Sequence, residues 1–185
     1  CFLIAQSTYL PQGNKHQPLL NRLEILLQRN NDVNVFTVKP LSRKTAVGVA
    51  EYADSLQKAG AIHLSKVDEY NLQSLLMNNS EWVTGDKSAF ASKKPIWNTF
   101  YKTKANFLEV DEKDFFLALN PVIQQQQSIE NDNDQRIFVN SKRLTVRGLI
   151  AERIGFSAYI TDNQERAPLF VQQRILQYDA VPGVG

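Results

Sequence analysis

Between Phe115 and Asp162 the chain alternates apolar and polar or small side chains over three segments. That is the period of a β-strand with one oily face. In the first segment Phe115, Leu117, Leu119 and Ile123 share one face, while Phe116, Ala118, Asn120, Gln124 and Gln126 share the other. In the second, Leu144, Val146, Gly148 and Ile150 alternate with Arg143, Thr145 and Arg147. In the third, Ile154, Phe156, Ala158 and Ile160 alternate with Gly155, Ser157, Tyr159 and Thr161. The pattern predicts strands from about Phe100 to Val110, Asp114 to Gln126, Arg136 to Ile150, Ile154 to Thr161 and Leu169 to Ala180. Ala151-Glu152-Arg153 reads as a tight turn, whereas the acidic stretch from Ser128 to Asp134 reads as a longer, solvated connection. A half-buried soluble sheet gives the same alternation as a membrane barrel. The contrast of short turns on one side and longer polar loops on the other is the habit of outer-membrane barrels.

Upstream the period changes to that of helices. Pro18 opens a segment in which Leu19, Leu20, Leu23, Leu26 and Leu27 form a stripe at helical spacing, ending at Asn30-Asn31. A short strand-like piece with Val33, Val35, Phe36 and Val38 follows, up to Pro40. Ser42 is placed to cap a second helix burying Ala46, Val49, Ala50, Ala53 and Leu56, which Gly60 ends. Ser65 and Asp68 form a variant capping box for a third helix burying Leu72, Leu75 and Leu76. The expected fold class is therefore α+β, a small N-terminal helical bundle followed by antiparallel strands of an incomplete outer-membrane β-barrel. About five strands are fewer than the roughly eight that the smallest barrels need.

The chain ends sharpen this picture. The stretch from Cys1 to Ser7 reads as the tail of a secretory signal peptide, in preference to a lipid-modified N-terminal cysteine, which a polar tether would usually follow. Val181-Pro182-Gly183-Val184-Gly185 stops directly after a strand-like run. The expected layout is a signal remnant over 1–7, a helical periplasmic segment over 8–97 and the first strands of a truncated barrel over 98–185. This describes a fragment of a longer exported protein. No apolar run reaches the roughly 18 residues of a spanning helix, so membrane insertion would have to be by a barrel.

Composition and charge exclude more than they assign. The 185 residues are 43% hydrophobic and 22% charged, ordinary for a folded chain, and the formal net charge of +2 argues against nucleic acid as a partner. His16 and His63 are the only histidines, and neither has a second metal ligand at a suitable spacing. Ser7, Ser42 and Ser80 lack a nucleophile-elbow context, and there is no glycine-rich phosphate loop. The Asn131 to Asp134 loop lacks the glycine and terminal glutamate of a calcium loop. Neither catalysis nor a cofactor is therefore expected. The candidate binding group is Asn120, Gln124, Gln126, Arg143, Arg147 and Tyr159, which the alternation directs toward a polar lumen. There the amides, guanidinium groups and phenol have the right chemistry for sugar hydroxyls or acidic glycans.

Four pieces in order resemble the capsule assembly protein Wzi family. They are Val38-Lys39-Pro40-Leu41-Ser42-Arg43 in the helical segment, Phe115 to Ile123, Val146-Arg147-Gly148-Leu149-Ile150, and Gly155 to Asn163. The resemblance covers the chain from about Leu19 onward. It implies a small helical bundle at the periplasmic mouth of an outer-membrane barrel in a Gram-negative-type cell, with capsular or other surface polysaccharide and outer-membrane lipid as partners. Related barrels serve gliding, secretion or transport. A soluble periplasmic α+β binding domain is the expectation from a different class.

Overall fold

The computed structural model describes residues 8–11, 13–28, 40–97, 99–131 and 135–181. The signal-peptide remnant, the strand-like piece at 33–38, the centre of the acidic loop at 132–134 and the last four residues lie outside the described residues. Helices α1 (Gln17–Leu27), α2 (Arg43–Lys58) and α3 (Lys66–Met77) precede strands β1 (Leu108–Glu112), β2 (Phe115–Ser128), β3 (Ile137–Ile150) and β4 (Ile154–Arg166), and helix α4 (Leu169–Tyr178) follows. The strands form one open antiparallel sheet in the order β1-β2-β3-β4. The α+β class read from the sequence is the observed one.

The helices stand where the caps put them. Pro18 lies in the first turn of α1, where its missing N–H costs nothing. Ser42 Oγ accepts from the Thr45 amide at 3.1 Å to start α2. At the other end of α2, Ala61 N–H donates to Leu56 O and Gly60 N–H to Gln57 O, with Gly60 at φ 72°. This is a Schellman close, which glycine enters without a Cβ penalty. Ser65 caps α3 through the Asp68 amide, and the Asp68 carboxylate in turn accepts from Ser65 Oγ at 2.7 Å and from Arg22 of α1 at 2.8 Å. A capping residue of α3 thereby also fixes α1. Leu19, Leu20 and Leu23 meet Ala46, Val47, Val49, Ala50 and Ala53 of α2 and Leu72, Leu75 and Leu76 of α3 in one buried cluster, to which Leu10, Val83 and Phe90 add. The small residues of α2 let both neighbours pack closely against it. Leu26, expected on the stripe, is 40% exposed.

Two strand expectations are corrected. The strand foreseen from Phe100 to Val110 begins only at Leu108, because Tyr101 takes a left-handed φ of 53° and its amide closes a turn onto Phe107 O. The segment foreseen as a strand from Leu169 to Ala180 is helix α4. Pro168 precedes it, the Glu130 carboxylate accepts the free Leu169 amide at 3.0 Å, and Asp179 ends it at φ 50°. A carboxylate from a distant loop thus serves as the N-terminal acceptor that the local sequence lacks.

The chain divides into two compact units, residues 1–119 with 146–157, and residues 120–145 with 158–185. The first holds α1, α2 and α3 and both short turns of the sheet, Lys113-Asp114 and Ala151-Glu152-Arg153, tied by Ala151 N–H to Asp114 O at 2.7 Å. Here Phe116, Ala118 and Leu149 are buried together, and Trp82 packs against them and against the helical core. On the opposite row, Gly148 leaves room for the Phe156 ring, since a Cβ at 148 would lie 2.2 Å from that ring. The second unit holds the long β2–β3 connection and α4, in which no residue is buried.

Alanine in place of a mid-strand glycine ordinarily stabilises. Here Gly148→Ala is expected to destabilise the chain by about 1–3 kcal/mol through overpacking, and Phe156→Leu is expected to recover part of the loss. Urea unfolding of the single and double variants is the measurement, and a neutral single variant contradicts the packing. A second prediction concerns His16, whose side chain is 3% exposed and whose Nε2 has no partner. Burial, with Lys15 and Arg43 nearby, lowers its pKa to about 4. The unfolded chain therefore takes up the proton first, so stability is fully present above about pH 6.5 and falls as the pH drops toward 4. Between pH 6.5 and 5 the loss is roughly 2 kcal/mol, and His16→Leu is expected to flatten that slope in denaturant titrations.

Candidate functional site

The candidate residues divide between the two units. Asn120, Gln124, Gln126, Arg143 and Tyr159 belong to the second, and Arg147 belongs to the first.

In the second unit the pleat sets the arrangement. Alternate positions of β2, β3 and β4 share a face, so Asn120, Arg143 and Tyr159 come from three adjacent strands. Arg143 Nε donates to Thr161 Oγ1 at 3.1 Å, and its guanidinium lies 5.5 Å from the Tyr159 ring centroid. Thr145 Oγ1 donates to Asn120 O at 3.1 Å. Arg143 and Tyr159 are both exposed, so a guanidinium plane and a phenol ring stand side by side in solvent. Gln124 and Gln126 lie further along β2, also exposed, and Gln126 lines a hollow of about 140 Å³ with Phe138 and Asn140. The structure thus joins Arg143 to Tyr159 and supplies two hydroxyls, Thr145 and Thr161, that the sequence reading had placed on this row without assigning them a role. The arrangement offers donors and a ring face to a polyhydroxylated or anionic ligand.

Arg147 is differently employed. Its Nη2 donates to Asn78 O at 2.9 Å and to Glu81 Oε2 at 3.3 Å. Its Nε stands 2.7 Å from Glu81 Oε1, an ionic contact whose angle is too oblique for a hydrogen bond. The Glu81 side chain is 2% exposed and that of Arg147 is 15%. Burial pushes the Glu81 carboxyl above its usual range, with Arg147 the largest influence pulling it back. Arg43 shares the same neighbourhood, donating to Asn79 Oδ1 at 2.5 Å, and burial followed by the charge of Arg147 lowers its pKa to about 10. Glu81 therefore stands between two guanidinium groups. Its role was not foreseen, because nothing local in Asn79-Ser80-Glu81-Trp82 distinguishes a buried carboxylate from a solvated one.

A third feature was not singled out as a cluster from the sequence. From Lys87 to Lys104 there are five lysines and no acidic residue, interleaved with Trp97, Phe100 and Tyr101. Among the described residues, no group of three or more His, Cys, Asp or Glu side chains is placed to hold a metal ion. No helix among them is long and apolar enough to cross a membrane.

A double-mutant cycle on Arg147→Met and Glu81→Gln is expected to give a coupling energy of roughly 1–3 kcal/mol, measured by urea unfolding. A cycle that closes to within about 0.5 kcal/mol would mean that the two charges act independently.

Compared with known proteins, the chain matches no protein-family model, no curated protein and no solved structure.

Proposed function

We propose that this chain is part of a non-enzymatic outer-membrane β-barrel protein of the capsule assembly type, which retains surface polysaccharide at the cell surface. The observation that carries the reading is the length and dressing of the strands. β2, β3 and β4 run for 14, 14 and 13 residues, well beyond the ordinary strand of about 5–6 and more than the roughly 9–11 that cross a bilayer. Their outward rows leave Ile123 72%, Ile154 61% and Ile160 72% exposed, positions suited to lipid and costly in water. The short turns Lys113-Asp114 and Ala151-Glu152-Arg153 lie in the unit that holds α1, α2 and α3, and the longer 129–136 connection lies in the other. This agrees with a periplasmic bundle on the short-turn side and loops outside. The resemblance to the Wzi family supports the same assignment. On this reading α4 belongs to an outer loop, and closure draws on further strands beyond this stretch.

The polysaccharide would meet the row of Asn120, Gln124, Gln126, Arg143 and Tyr159, where a guanidinium beside an aromatic ring favours acidic sugars. Arg147, held by Glu81, would act as an anchor between strand and helices within its unit.

The test is made on the full-length protein in the cell that produces it. Outer-membrane fractionation with a heat-dependent shift in gel mobility is the expected result, together with a severalfold drop in cell-associated polysaccharide for Arg143→Ala/Tyr159→Ala. A soluble protein whose mobility does not change with heating would overturn the barrel and favour a soluble periplasmic binding domain. A heat-modifiable barrel with unchanged polysaccharide would point instead to motility, secretion or transport.

A further inference from the structure

The segment between Phe90 and β1 builds a projecting tip. Ile96 and Phe100 pair across a tight turn, with Ile96 N–H donating to Phe100 O at 2.8 Å and Phe100 N–H to Ile96 O at 2.9 Å. Trp97 sits on that turn at φ 49° and is 84% exposed. Behind it, Phe100 stacks on Phe107 with centroids 4.6 Å apart, and Tyr101 meets Phe107 edge-on at 5.4 Å. The other aromatic rings of the turn therefore support one another, while the largest stays exposed, its ring centroid 6.1 Å from that of Phe100 in an edge-to-face arrangement. Ile96 beside it is 48% exposed.

Holding a tryptophan in water forgoes the burial of roughly 150–250 Å² of surface, and a left-handed φ at a bulky residue adds strain. Both costs put the same ring on the surface. Along the segment from Lys87 to Lys104 every charged side chain is a lysine, and of these Lys102 borders a hollow that Glu109, Asp111 and Glu112 also line. The side chains of Lys93, Lys94 and Lys102 are exposed and make no hydrogen bond or ion pair among the described residues, while Lys104 Nζ donates to Ala89 O at 2.7 Å. An occupant of this tip must be apolar enough to receive an indole and anionic enough to meet several ammonium groups. A phospholipid interface meets both conditions, with tryptophan resting at headgroup depth and lysines on the phosphates. An acidic glycan meets the charge but has no apolar interior to receive Ile96 beside the indole.

We propose that the Ile96–Trp97 tip, flanked by Lys93 and Lys94, is a binding site for anionic phospholipid headgroups. The site is independent of the barrel reading, because it needs only the turn and its lysines.

The experiment titrates the full chain with phosphatidylcholine vesicles, with phosphatidylcholine–phosphatidylglycerol vesicles, and with soluble polygalacturonate. The chain has two tryptophans, and the spectrum of Trp97→Phe subtracted from that of the wild type isolates Trp97 without disturbing Trp82, which packs against the core. A blue shift of Trp97 with the anionic vesicles, absent with neutral ones, is the expected result. Lys93→Gln/Lys94→Gln is expected to weaken that binding about 25-fold, about fivefold for each lysine near the surface. The site is overturned if Trp97 does not shift with anionic vesicles. It is also overturned if Trp97 shifts equally with neutral ones, or if polygalacturonate shifts it and vesicles do not. Vesicle association without a Trp97 shift or lysine dependence would belong to the oily strand rows, which leaves the barrel reading standing and this one refuted.

Discussion

The buried contact between Arg147 of β3 and Glu81 is the constraint on which the first compact unit depends. A carboxylate with almost no exposure is tolerable only with a cation against it, and an arginine facing the same unit needs acceptors. Glu81 and the Asn78 carbonyl supply them, both just beyond the end of α3. The pair joins residues 66 apart in sequence, so the end of the helical segment and the end of a strand hairpin become one object. Trp82, next to Glu81, does in apolar terms what its neighbour does in charge, since it packs against both the helical core and the Phe116–Ala118–Leu149 cluster.

From that joint the two faces of the sheet acquire different characters. On the row with Arg147, the positions near the short turns are buried against the rest of the unit, and those further along, in the second unit, carry Arg143, Tyr159 and the glutamines in solvent. One alternating row thus packs at one end and stands in solvent at the other. The opposite row is apolar with no protein cover at Ile123 and Ile160, and the covered glycine at 148 shows that neighbouring side chains still interlock there. On the barrel reading proposed above, the arginine-and-tyrosine row would face a wet interior and the uncovered oily row would face lipid.

Legibility in the sequence followed the range of the interaction concerned. Ser42, Gly60 and Ser65 were readable as helix punctuation because a cap is made within a few residues, and the structure places each as read. Strands β2 to β4 were readable because their side chains alternate over more than ten positions. Helix α4 was misread because Leu169-Phe170-Val171 suits a strand as well as a helix, and the Glu130 carboxylate that accepts its first amide comes from 39 residues away. The start of β1 was misplaced for a similar reason, since a left-handed tyrosine is not announced by its residue type. Arg143 and Tyr159 were foreseen on one row, but that the ring and the guanidinium meet depends on the register between β3 and β4.

By itself the sequence determined the periods, the caps and the tight turns, and with them the α+β class, because each is decided by residues close together in the chain. The tertiary structure alone decided which arginine is buried against a carboxylate and which stands in solvent. Arg143 and Arg147 occupy equivalent alternating positions one helical turn's worth of residues apart, and only the placement of Glu81 commits Arg147 to the core while Arg143 stays in solvent. It also decided that Trp82 is a packing residue and Trp97 an exposed one, since a tryptophan's burial depends on what the folded chain brings over it.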